Sequence, residues 1–77
     1  MKTQYTYIHF ELLGDTGKTT RWCCRNTRSN SVLGGIYWNG AWRQYCFHPF
    51  PETVFSSGCL EDIQDFIGQL MEQRRKP

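Results

Sequence analysis

The sequence predicts an α+β domain in the order ββββα: a four-stranded antiparallel β-meander with one C-terminal amphipathic α-helix packed on one face. Three observations lead there. Residues 5–47 hold four stretches rich in β-branched, aromatic and cysteine residues, separated by short polar or glycine-bearing segments. Asn39-Gly40 falls between two of these stretches as a hairpin signal, because a two-residue type I′ turn needs positive φ at both central positions. After residue 57, apolar residues recur at helical spacing.

The first stretch, "YTYIHFELL" (5–13), alternates: Thr6, Ile8, Phe10 and Leu12 on one side, Tyr5, Tyr7, His9 and Glu11 on the other, as in a half-buried strand. "GDTG" (14–17) is a turn. "KTTRWCCRN" (18–26) is the second strand, and its adjacent Cys23 and Cys24 point to opposite faces. "TRSNS" (27–31) is a polar loop. "VLGGIYW" (32–38) and "AWRQYCF" (41–47) are the third and fourth strands. A turn at 39–40 pairs Trp38 with Ala41, Tyr37 with Trp42, Ile36 with Arg43 and Gly34 with Tyr45. The two prolines of "HPFPET" (48–53) make it an extended connector outside the ladder. The helix spans about 58–73, with Leu60, Ile63, Phe66, Ile67, Leu70 and Met71 on one face. Ser57 or Gly58 caps its start, Glu61, Asp62 and Asp65 lie near its positive end, and Arg74, Arg75 and Lys76 follow its negative end in a tail, 74–77.

This register sorts the side chains. Val32, Ile36, Trp38, Tyr45 and Phe47 face the helix together with Ile8, Phe10 and Leu12; Arg43 falls on the same side and must snorkel at the rim or find a partner. Leu33, Tyr37, Trp42, Gln44 and Cys46 face away, joined by Tyr7, His9, Arg21 and Arg25. A chain of 77 residues is a single domain that buries only ~60% of its unfolded surface. Its three tryptophans, four tyrosines and five phenylalanines therefore serve first as core. On the outer face they either shield the backbone of a small sheet or stack on a ligand.

Charge follows the same division. Lys18, Arg21, Arg25, Arg28 and Arg43 lie between residues 16 and 51 with no acid among them. Glu52, Glu61, Asp62, Asp65 and Glu72 lie between 52 and 72 with no base among them. The strands are basic and the helix acidic. No apolar run reaches the ~18 residues of a membrane span, and "MKTQYTYIHF" does not read as a signal peptide. A cytoplasmic location follows as an expectation, with Cys23, Cys24, Cys46 and Cys59 as free thiols.

Several chemistries are excluded on pattern. "GDTGKTT" (14–20) resembles a phosphate loop, but Leu12 stands where the first glycine belongs and a strand follows the lysine. Zinc would need Cys23 or Cys24 with Cys46, His48 and Cys59, and the chain has no Cys-x-x-Cys pair. A nucleophilic Cys59 served by His48 or His9 lacks an oxyanion site. No catalytic residue, metal or cofactor is expected.

Leu33-Gly34, Ile36, Trp38, "WRQYCF" (42–47), Pro49, Thr53, Phe55, "CLEDI" (59–63) and Phe66 carry a likeness. Over residues 33–70 the chain resembles a group of short hypothetical proteins from bacteriophages and prophage-bearing bacteria. The resemblance implies a mobile-element origin and an accessory role, and no reaction. The expected function is a non-enzymatic module that meets nucleic acid, single strands in preference, through Tyr37, Trp42, Gln44, Arg21, Arg25 and Arg28. The competing reading is a protein-interaction module that uses the same hairpin as its hot spot.

Overall fold

The structure, a computed structural model, describes residues 1–75. Strands β1 (Ile8–Asp15), β2 (Thr20–Asn26), β3 (Val32–Asn39) and β4 (Gln44–Pro49) form one antiparallel sheet in sequence order, followed by α1 (Ser57–Arg75). This is the expected ββββα meander. Ile8, Phe10, Trp22, Cys24, Ile36 and Tyr45 from one face of the sheet close a core with Ile63, Phe66 and Leu70 of α1. Phe66 is completely buried. It stacks on Phe10 at 4.0 Å between ring centres and meets Trp22 edge-on at 5.0 Å.

The helix begins one residue earlier than its expected caps allow. Ser56 is the cap: its Oγ accepts from the Cys59 N–H at 3.2 Å and its carbonyl from the Leu60 N–H at 3.0 Å. Leu60, expected on the apolar face, is half exposed, and Cys59 packs against the core instead. Arg74 and Arg75, expected in a tail, continue the helix; Lys76 lies outside the described residues. The Arg74 guanidinium lies 4.1 Å over the Trp38 ring and donates to the Lys18 carbonyl at 3.2 Å. That contact closes the open end of the core beside Tyr45, which meets Trp38 edge-on.

The β3–β4 hairpin corrects the expected turn. Its pairs are Asn39 with Gln44, Trp38 with Tyr45, Tyr37 with Cys46 and Ile36 with Phe47, so the loop is Gly40–Arg43 and not Asn39-Gly40. Ala41, Trp42 and Arg43 therefore leave the strand. The Asn39 side chain accepts from the Trp42 N–H at 3.0 Å, its carbonyl accepts from the Arg43 N–H at 2.7 Å, and Arg43, at φ 55°, is the residue in the left-handed region. Arg43 does not face the core. The register has slipped by four residues from the expected one. An even slip preserves which side chains share a face, so Ile36, Trp38, Tyr45 and Phe47 still point to the helix. Because Gly40 has an ordinary φ and open space where a Cβ would go, Gly40→Ala should leave the melting temperature unchanged or raise it slightly. Asn39→Ala should instead cost about 1 kcal/mol, as loss of a capping side chain does. A scanning melt of both variants checks this; equal and large losses would restore the two-residue turn.

Two bulges account for other departures. One lies between Leu12 and Gly14 on β1, the other at Leu33 on β3. The second turns Leu33 in against the core and leaves Val32 on the outer face, reversing the expected pair. Leu12 was expected in the core but stands beside the first bulge on an edge strand and is half exposed. The alternation read from residue 5 fails because the chain doubles back before β1: Tyr5 N–H donates to the Ile8 carbonyl and Phe10 N–H to the Thr3 carbonyl, each at 2.9 Å. Thr6 is thereby exposed and Tyr5 buried. The Tyr5 hydroxyl donates to Asp65 Oδ2 at 2.7 Å and accepts from Gln69 Nε2 at 2.9 Å. His48 and Pro49, expected in a connector, are the last residues of β4.

Burial, followed by the neighbouring Cys23 and Cys59 thiols, pushes the Cys24 thiol up to about 12. Burial and the bond to Asp65 push the Tyr5 phenol well above its ordinary range. Both groups keep their protons in the fold after the unfolded chain has released them. Their stabilisation is complete below the unfolded values and is lost as pH rises through the folded ones. Urea midpoints should therefore be level near neutrality and fall progressively above about pH 9. Tyr5→Phe and Cys24→Ala should each flatten the alkaline fall; an unchanged slope in both would refute the assignment.

Candidate functional site on the open sheet face

The face of the sheet away from α1 carries a grouping of side chains drawn from three adjacent strands. Trp22 and Cys24 point into the core, so Arg21, Cys23 and Arg25 of β2 point out. Cys23 and Cys24 do face opposite ways. Across the ladder, the Arg21 guanidinium lies 4.3 Å over the Tyr37 ring. On the other side of that ring His48 lies parallel at 3.7 Å. Arginine, tyrosine and histidine thus form a row across β2, β3 and β4.

Beside the row is an open hollow of about 400 Å³. Cys23 and Gly35 are at its floor, Arg21, Tyr37 and His48 on its wall, and Leu13 and Phe50 at its apolar rim. The bulge on β1 brings Leu13 there. Gly35 keeps the floor low: a Cβ would lie 3.5 Å from the Trp22 carbonyl and 3.6 Å from the Tyr37 ring, in ordinary contact.

The arginines differ in their commitments. Arg25 lies 3.6 Å from the Glu11 carboxylate and donates to the Asn30 carbonyl at 2.9 Å. Arg21 has, among the described residues, no hydrogen-bond acceptor and no carboxylate partner; its contact is the Tyr37 ring. Arg28 stands in the β2–β3 loop, whose backbone is tied down by the Asn26 side chain, with Oδ1 accepting from the N–H groups of Arg28 and Ser29.

Of the residues expected to form the site, Tyr37 and Arg21 are brought together. Arg25 lies on the same face, four residues along β2. Gln44 is exposed at the start of β4, next to the hairpin tip. Trp42 was expected to pair with Tyr37 and does not. It stands at the tip, 70% exposed, where the four-residue loop lifts it off the sheet. His48, Gly35, Leu13 and Phe50 were missed. Carrying the two-residue alternation past Cys46 places His48 on the face of Tyr37, but the prolines at 49 and 51 concealed the continuation.

Two of the patterns weighed in the sequence meet a specific geometric obstacle. Cys59 packs into the helix-side core and His48 lies on the opposite face, so the sheet separates them. The four cysteines are free. The "GDTGKTT" segment is a β1–β2 hairpin turn. Its N–H groups at Gly17 and Thr19 donate to Asp15 Oδ1 at 2.7 Å and Thr16 Oγ1 at 3.0 Å, so they are not free to cradle a phosphate. Among the described residues, no helix is long and apolar enough to cross a membrane.

No family model matches the chain, and no solved structure matches it. It is similar to an uncharacterized 9.3 kDa protein of Acholeplasma phage L2, 39% identical over 51 residues, which are 66% of this chain. The chain spans 65% of the length of that curated relative. The likeness supports a small phage-encoded protein, as the resemblance over residues 33–70 implies.

Proposed function

We propose that the chain is a non-enzymatic accessory module of phage origin that binds single-stranded nucleic acid along the open face of its sheet. The observation that carries this reading is the segregation of charge. Arg21 and Arg25 project from β2 onto that face and Arg28 stands at its end, whereas the acids from Glu52 onward belong to the connector and helix. Glu11 is the acid that meets them, and it is paired with Arg25. From Asn39 to Val32 the face runs ~23 Å at ~3.3 Å per residue, room for roughly four nucleotides. A strand laid from Trp42 toward Arg28 passes Gln44, Tyr37 and Arg21 in turn. Duplex is disfavoured, since the described residues offer neither a basic helix nor a free ribbon to enter a groove.

Trp42, 70% exposed at a tip whose backbone N–H is held by Asn39, favours a second reading, a protein partner anchored at the hairpin tip. Salt separates the two. Fluorescence anisotropy with short labelled single strands should show log K falling with log salt at a slope of about −1.4, from ~0.7 for each of Arg21 and Arg28. Trp42→Ala should weaken that binding by ~1–3 kcal/mol while the melting temperature holds. Absence of binding at low salt would overturn the nucleic-acid reading.

A further inference from the structure

We propose that Arg21 is a placeholder on Tyr37: a base of the bound strand takes the ring face that the guanidinium covers, and the freed guanidinium moves to a phosphate. This deepens, and rests on, the single-strand reading above. Both faces of the Tyr37 ring are covered, by His48 at 3.7 Å and by Arg21 at 4.3 Å, so no base stacks there unless one cover leaves. The two covers are unequal. His48 is a part-buried member of the β4 ladder, and its Nε2 is sealed from solvent. Arg21 is exposed and, among the described residues, makes no hydrogen bond or ion pair, in contrast to Arg25. Lifting Arg21 therefore costs the ring contact and, among the described residues, no hydrogen bond or ion pair.

Space and energetics agree with the exchange. The hollow floored by Gly35 lies beside the stack, so an incoming ring meets no side chain from that position. An exposed cation–π contact is worth roughly 2–5-fold in an equilibrium constant, whereas a base stacked on an aromatic ring is worth roughly 5–150-fold. The base gains more than the guanidinium gives up, and the guanidinium is then free to meet a phosphate. Arg21 in the free protein keeps the ring dry, and in the complex supplies charge where the base has just docked.

The test measures anisotropy against salt for the wild type, Arg21→Ala and Arg21→Gln, with one single strand in normal and abasic forms. Arg21→Ala should lower the salt slope by about 0.7. At high salt, where phosphate attraction is screened, it should bind the normal strand ~2–5-fold more tightly than the wild type does, and the abasic strand no more tightly. Arg21→Gln keeps a planar group over the ring without charge; it should lose slope and gain nothing. In NMR spectra the Tyr37 ring protons should move upfield with the normal strand and not with the abasic one. Weaker binding of Arg21→Ala at every salt, equal for both strands, would make Arg21 a plain phosphate contact and overturn the exchange while leaving the single-strand reading intact. A wild type that binds no single strand would overturn both.

Discussion

Phe66→Ala is expected to leave the domain close to unfolded. Phe66 is the largest completely buried side chain, and it is the point where α1 is keyed to the sheet: its ring stacks on Phe10 and receives the edge of Trp22. Truncating such a ring costs about 3–5 kcal/mol, through lost transfer energy and the cavity left behind. A domain of this length has only ~4–12 kcal/mol in total. The site has little means of collapse, because Phe10 and Trp22 are held by the ladder of two paired strands and cannot follow the missing ring inward. Urea unfolding followed by far-ultraviolet circular dichroism should show the native baseline shortened or absent. Trp42→Ala removes a larger side chain but one that is 70% exposed, so its midpoint should stay near that of the wild type. Equal midpoints for the two variants would mean that the core lies elsewhere.

The contrast between these two aromatics also marks what was legible in the sequence. Helical spacing identified Ile63, Phe66 and Leu70 as a buried face, and strand alternation identified Ile36 and Tyr45, because burial writes a period into the chain. Loop geometry writes much less. Asn39-Gly40 resembles a two-residue turn, yet the chain closes its hairpin with the four-residue loop Gly40–Arg43, so that β4 begins three residues later than expected, with an arginine in the left-handed position that usually signals glycine. That error left the faces intact, since a slip of four residues preserves side-chain parity. The bulges at Leu13 and Leu33 had the opposite effect: each inserts one residue, reverses the alternation beyond it, and has no compositional signature. The site shows both behaviours. Arg21 and Tyr37 were placed on one face by parity alone, whereas His48 was hidden by prolines that the edge strand tolerates at its end.

Gly34→Ala and Gly35→Ala should differ sharply, although the two glycines are neighbours on one strand. A Cβ on Gly34 would stand 2.6 Å from the His48 carbonyl oxygen and 2.8 Å from the Phe47 ring. The nearer atom is backbone, so no rotamer change relieves the clash; β4 itself must move. Overpacking of this kind costs typically 1–3 kcal/mol, and each kilocalorie lowers the melting temperature of a domain this size by roughly 4–8 °C. A Cβ on Gly35 points to the other face and meets its nearest neighbour at 3.5 Å. Gly35→Ala should therefore be neutral or mildly stabilising, because alanine has less freedom to lose on folding. The two variants separate fold from site. In Gly34→Ala, displacement of β4 should carry His48 off Tyr37, and the Tyr37 ring protons should lose the upfield shift that a parallel neighbour at 3.7 Å imposes. In Gly35→Ala the stack should remain and only the floor of the hollow should rise. Thermal melts and proton spectra of both proteins decide the matter: equal stabilities would show that β3 and β4 do not approach at Gly34 as closely as described.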